Sequence, residues 1–357
     1  MDFSFNSDQE ALRDLARKLL TDRCTPEQLK AVAQSESKTD DVLWQAMIDA
    51  GLVGISVPEA DGGAGLGLIE TCLVLHEVAR AAAPVPALAA ALGQQALLVA
   101  GGDTSGLATG ERFVAAALHE PTGDVRIPTV TATGGTLHGT KSNVDGGTRA
   151  DAFVVSTTDG LYLVDASAPG VTVAAQPIAS GLGMPEAMVT FDGAPGTRLA
   201  GPEVLDALID RAETLTCVMV AGAADAALRL TAEYTVTRKQ FERAIASFQA
   251  VSQRAADAYI DTEAIRLTAW QAAWRLHEGL PAAEQVATAK FWASEGGTRV
   301  MAAAHHLHGG MGVDRDYPLH RYSQLARRLE LKFGSGTPTL ARLGRMIATQ
   351  ATAATAG

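Results

Sequence analysis

A block of short Val- and Thr-rich runs enclosed by two long helical blocks constrains this chain more than any other feature of its sequence. Val130–Thr133, Ala152–Ser156, Leu161–Val164 and Ala187–Phe191 alternate with Gly, Pro and Asp turns from Phe113 onward, the pattern of strands. Before them, Ser7 and Glu10 form a capping-box pattern, and Leu12, Leu15, Leu19 and Leu20 are expected on one inward face. A second helix is expected over Val42–Ala50, stopped by Gly51. The glycines and proline of Pro58–Gly65 then impose a buried turn. Leu68 to about Ala81 and an alanine-rich stretch to about Ala100 continue the helical block. After Pro202, periodic segments at 203–240, 246–278 and 282–307 precede a last helix at 319–332. The alanine-rich end past Thr349 carries no packing signal and is expected to fray. The order predicts an α+β chain with a helical domain at 1–111, a β domain at 112–202 and a helical domain at 203–357.

Composition narrows the partners. A hydrophobic content of 47% over 357 residues supports a sizeable core, and a net charge of −11 sets the average potential against nucleic acid and anionic membrane surfaces. Cys24, Cys72 and Cys217 are odd in number and far apart, which fits a reducing compartment. Met1–Phe5 shows no basic region followed by an apolar core, and no uninterrupted apolar stretch reaches spanning length. A cytoplasmic protein without membrane insertion is expected. His305, His306 and His308 suggest a metal, but neighbouring helical histidines point apart and no carboxylate stands at ligand spacing, so none is expected.

Chemistry gathers in the last third. Arg238 offers a planar charged fork suited to a pyrophosphate, Phe241 an apolar wall, and Gln249 a side-chain amide for phosphate or ribose oxygens. Gly309, Gly310 and Gly312 allow backbone N–H groups to approach an anion. Singly, each has a plainer reading: a surface charge, a solvated helix residue, a helix stop before a turn. Their order reads Arg238-Lys239-Gln240-Phe241, Phe248-Gln249, His305 to Gly312, then Tyr317-Pro318-Leu319-His320-Arg321-Tyr322. Together with Pro58-Glu59, Gly62-Gly63 and Gly65, and with Leu118-His119-Glu120-Pro121, it resembles the acyl-CoA dehydrogenase family over essentially the whole chain.

That resemblance implies an N-terminal helical domain, a central β domain and a C-terminal four-helix bundle, assembled as tetramers. It implies FAD lying across a subunit interface, its ring on one chain's β domain and its ADP part on a neighbour. Arg238, Phe241, Gln249, His308, Gly309, Gly310 and Gly312 are then the expected cofactor-binding residues. The implied reaction is α,β-dehydrogenation of an acyl-CoA, with electrons passing to an electron-transfer flavoprotein.

Two segments depart from the family pattern. The base glutamate that precedes a Gly-Thr pair is replaced in Ser335-Gly336-Thr337, and a hydroxyl is a poor substitute for a carboxylate base. In other members the glutamate lies on the helix before the Arg-x-x-Phe motif, a position that here falls on Ala212 with Glu213 beside it. One residue turns a side chain by about 100°, so Glu213 is either the base or a solvent-facing or structurally paired helix carboxylate. The flavin-facing Lys-x-Trp-Ile-Thr reads Lys141-Ser142-Asn143-Val144-Asp145, and the Thr-Glu-Pro-Gly segment reads His119-Glu120-Pro121-Thr122. Asp145 would repel an anionic reduced flavin. Retained ADP-facing residues beside altered ring-facing ones make the chain similar to the non-catalytic subunit of actinobacterial α₂β₂ acyl-CoA dehydrogenases that act on sterol side-chain CoA thioesters. The alternatives are a self-sufficient homotetramer using Glu213 and a flavin-free acyl-CoA-binding scaffold.

Overall fold

The computed structural model describes residues 4–176 and 185–355. Capping side chains decide where the first helices begin. Helix α1 (Ser7–Arg23) starts under Asn6, which accepts from the Asp8 and Gln9 N–H groups while the Gln9 side chain accepts from the Asn6 N–H. The capping box therefore sits one residue ahead of the expected Ser7/Glu10 pair. Its inward face is centred on Ala16 and Leu20, and Leu15, a step of about 100° away, is exposed. Helix α2 (Pro26–Gln34) begins under Thr25, and α3 (Asp41–Asp49) under Asp40, whose carboxylate accepts from the Leu43 N–H.

The Pro58–Gly65 segment is a turn, as expected, but Pro58 to Ala60 are exposed. The apolar Leu52–Val57 run before it goes inside instead. Helices α4 (Leu68–Arg80) and α5 (Ala87–Ala100) follow, broken apart around Pro84 and Pro86. Gly93 lets α5 approach the sheet: a Cβ there would fall 1.8 Å from the Val114 carbonyl oxygen.

The strands are β1 (Val114–Ala117), β2 (Thr131–Thr133), β3 (Thr136–Val144), β4 (Ala152–Thr157), β5 (Gly160–Asp165), β6 (Val171–Gln176), β7 (Glu186–Pro195) and β8 (Thr197–Ala200). They form two sheets. One has the order β1-β4-β5-β8, with β1 parallel to β4; the other, β2-β3-β7-β6, is antiparallel throughout. Phe153, Val155 and Val164 of the first sheet meet Leu137, Val189 and Phe191 of the second in a sandwich core.

The remaining elements are α6 (Leu205–Thr237), a hairpin of β9 (Lys239–Gln240) and β10 (Arg243–Ala244), then α7 (Gln249–His277), α8 (Ala283–His308), α9 (Leu319–Leu331) and α10 (Gly336–Thr355). The end expected to fray is helical to Thr355, tied down through Arg342 to Glu213 and through the Gln350 side chain to Glu284. Helix α6 is long and apolar enough to cross a membrane, yet 72% of its apolar window is buried, as in a core helix. Small residues, Ala223 and Ala227 of α6 with Ala304 of α8 and Ala326 of α9, let these helices pack closely.

The chain divides into two compact units. One runs to Val74 and resumes over Pro84–Ala212; the other joins Leu75–Ala83 to the chain from Glu213 onward. The sandwich belongs to the first and the long-helix bundle to the second.

Candidate dinucleotide site

In the second unit the site is built around an aromatic stack. Tyr234, near the end of α6, stacks on His308 at the end of α8, with ring centroids 4.4 Å apart. The His308 Nδ1–H donates to the Ala304 carbonyl at 2.8 Å, which leaves Nε2 to accept from the Tyr317 hydroxyl at 2.9 Å. Burial holds the His308 pKa below its ordinary value, in keeping with this neutral tautomer. Both ring nitrogens are engaged inside the protein. His308 thus fastens the ends of α6 and α8 together, whereas His306, two residues earlier, is exposed and has no side-chain partner among the described residues.

One turn beyond Tyr234, the Arg238 N–H donates to the Tyr234 carbonyl and the chain enters the β9–β10 hairpin. Phe241 and Glu242 close it with φ of 52° and 64°, a type I′ arrangement that ordinarily selects Gly or Asn. Phe241 stands at the tip, 88% exposed. Arg238, Lys239 and Arg254 are exposed and make no ion pair among the described residues. Gln249 is the first residue of α7, at a helix start that no side chain caps.

From α8 the chain passes into Gly309, whose φ of 57° and ψ of −133° admit only glycine. A Cβ on Gly309 or Gly310 would meet nothing within 4 Å, so both backbones face open space. Gly312 differs, because a Cβ there would come 2.9 Å from the His305 carbonyl oxygen; it is glycine for packing. Unpaired guanidinium groups and an uncapped helix start are donors of the kind a dinucleotide's phosphates need, and the glycine backbone, whose Gly309 N–H is spent on the end of α8, leaves room beside them, so these residues fit the ADP part of FAD.

The ring-facing segment, in the first unit, is closed upon itself. Lys141 is 0% exposed, with its Nζ 2.7 Å from Glu120 and 2.9 Å from the Ser156 hydroxyl. The Glu120 carboxylate also accepts from the Thr129 and Val130 N–H groups. Burial pulls the Lys141 pKa down to about 8 against the attraction of Glu120. Asn143 sits in a bulge between β3 and β7 at φ 53°, its N–H donating to the Gln176 side chain. Arg126 pins the loop after Pro121 through Asp206 at 2.9 Å and Asp210 at 2.6 Å.

Neither candidate base position offers a free carboxylate. Glu213 is 1% exposed, and both of its oxygens accept from Arg342, at 2.7 and 2.5 Å. Ser335 is half-buried ahead of α10, in a turn fixed by Lys290, whose Nζ donates to the Leu329 and Glu330 carbonyls. Glu295 of α8 lies against Gly336, where a Cβ would meet its carboxylate at 2.2 Å. Glu295 and Arg342 carry no motif that a sequence reading would pick out.

A helical block, a β-sandwich and a long-helix bundle, in that order, make up the architecture of a flavin-dependent dehydrogenase. The sequence matches the acyl-CoA dehydrogenase N-terminal domain over residues 6–104 and the C-terminal domain over residues 201–347. It is 36% identical to the acyl-CoA dehydrogenase FadE27 of Mycobacterium tuberculosis, over 98% of this chain and 99% of that protein. Among solved structures it resembles the Tcur3481–Tcur3483 steroid ACAD at TM-score 0.91 and 39% identity, over 97% of this chain and 99% of that one. It also resembles the ChsE4–ChsE5 complex of Mycobacterium tuberculosis at TM-score 0.90 and 38% identity, over 98% and 99%. This chain belongs to the acyl-CoA dehydrogenase family, whose members oxidise acyl-CoA thioesters with FAD.

Proposed function

We propose that this chain is one subunit of a heteromeric, FAD-dependent acyl-CoA dehydrogenase. It holds the ADP part of a FAD whose flavin ring rests on a second acyl-CoA dehydrogenase chain, which also supplies the base. One asymmetry carries the reading. The Arg238 side chain has no internal partner among the described residues and the Gly309–Gly310 backbone leaves open space beside it, whereas Lys141, Glu120 and Glu213 are all engaged within the chain. FAD, when bound, accepts the hydride from the thioester's Cβ. Arg238 would pair with its pyrophosphate, Gln249 would bond phosphate or ribose oxygens, and the Gly309–Gly310 backbone would approach the phosphates.

The likeness to a two-protein complex and to a steroid acyl-CoA dehydrogenase supports both the heteromer and a substrate class, the CoA thioester of a steroid side chain. Family membership supports an electron-transfer flavoprotein as acceptor. The cytoplasm, where Cys24, Cys72 and Cys217 stay reduced, is the proposed compartment.

The test is FAD per chain, measured by flavin absorbance on the chain purified alone and with a second acyl-CoA dehydrogenase chain from the same genome. A colourless lone chain and a yellow, active pair are expected. Stoichiometric FAD and full activity in the lone chain would refute the proposal, and no flavin in either form would favour a flavin-free scaffold.

A further inference from the structure

We infer that Arg243 is a positioning residue for the dinucleotide site, clipping the β9–β10 hairpin to the start of α7 and so fixing where Arg238 and Phe241 are presented. The inference rests on the proposed ADP-binding role of that hairpin.

The hairpin has little to hold it. Its ladder consists of Arg243 opposite Gln240 and Ala244 opposite Lys239, extended by the Ile245 N–H donating to the Arg238 carbonyl at 2.9 Å. A two-stranded ribbon of this length is marginal in water. Its turn adds strain, because Phe241 and Glu242 both occupy left-handed backbone without being glycine. Lys239, Gln240, Phe241, Glu242 and Arg243 are all exposed, so no core fixes them.

Phe248 supplies the missing anchor. It is the N-cap residue of α7, half-buried, and therefore attached to a long helix. The Arg243 guanidinium carbon lies 4.0 Å from its ring centroid, a close cation–π contact. Phe241 meets the same ring edge-on, with centroids 6.2 Å apart at 78°. One ring thus receives a side chain from the tip and another from the returning strand. Arg243 makes no ion pair among the described residues, so the Phe248 face is the contact that orients it. Stacking through the guanidinium face also leaves its in-plane N–H donors available.

The link to function is pre-organisation. Arg238 opens the hairpin, Phe241 forms its tip and Gln249 follows Phe248 directly. With the clip closed, the three are presented as one unit. With it open, the hairpin must be ordered as FAD binds, and that ordering lowers affinity.

The experiment measures FAD dissociation from the two-chain complex, by flavin fluorescence, alongside hydrogen exchange of the hairpin amides. Arg243→Gln is expected to weaken FAD about fourfold and to speed exchange at Ile245, whose N–H closes the ladder onto Arg238, whereas Arg243→Lys, which keeps a cation over the ring, restores both. Phe248→Leu should match Arg243→Gln, and the double variant should be no worse than either alone. If Phe248→Leu leaves affinity intact while Arg243→Gln lowers it, or if the two effects add, Arg243 acts on the phosphates directly and the clip is overturned. Arg238→Ala separates the two levels. If it weakens FAD and Arg243→Gln does not, the inference alone falls; if it has no effect, the ADP-binding role falls and the inference with it.

Discussion

Replacing Glu213 by glutamine separates a structural carboxylate from a catalytic one. Glu213 is 1% exposed and meets Arg342 through both oxygens, at 2.7 and 2.5 Å. Glutamine keeps the shape and one acceptor but removes the charge. The Arg342 guanidinium, whose Nε is already buried without a partner, would then lack an anion. Lys290, which is buried, would lose the attraction of Glu213 and keep that of Glu330. Cys217 cannot compensate, since burial pushes its thiol up to about 12 and keeps it neutral. Breaking one half of a buried ion pair costs about 3–5 kcal/mol, and the hydrogen bond that glutamine retains places this case near 3 kcal/mol. For a unit of this size that corresponds to a fall in Tm of roughly 6–12 °C. Far-UV circular dichroism of the complex on heating measures it. Glu213→Leu combined with Arg342→Met, which removes both charges, should recover more than half of the loss. A Glu213→Gln complex that melts like the parent but no longer exchanges the substrate's α-proton would refute the reasoning and make Glu213 the base.

Two further perturbations follow from the same geometry. Lys141 titrates at about 8 in the fold against an ordinary value of 10.5, so between those pH values the unfolded chain binds more protons. Stability should therefore rise with pH across that window by up to ~3 kcal/mol, a gain complete above the unfolded pKa and lost as pH falls towards the folded one. Urea midpoints across the window should climb for the parent and stay level for Lys141→Met; parallel curves would contradict the assignment. Glu242→Gly relieves a left-handed residue at φ 64° and should stabilise the hairpin by about 1 kcal/mol. Slower amide exchange over residues 239–245 would register it, and faster exchange would count against strain at the turn.

What a sequence pattern could read depended on whether each residue's partner lay nearby. Strands β4, β5 and β7 were legible because Val, Phe and Leu fill them. Strand β3 was not: His138-Gly139-Thr140-Lys141 looks like a polar loop, and Lys141 can be interior only because Glu120 and Ser156 arrive from other segments. Helix α10 was not legible as a helix, and its tie is a charge, Arg342, whose partner lies 129 positions earlier. At the site, Arg238, Phe241, Gln249 and Gly309–Gly310 stood out through local spacing. The internal engagement of His308 did not, since it turns on Tyr234 and Tyr317 closing around its ring.

The same dependence sorts the residues whose chemistry stands out. Glu213, Lys141 and His308, the residues that most resemble catalytic groups, all find partners inside the fold. Arg238 and Lys239, which resemble ordinary surface charge, find none among the described residues. Such unpaired cations beside an exposed aromatic tip suit the anionic, partly apolar dinucleotide of the proposed function.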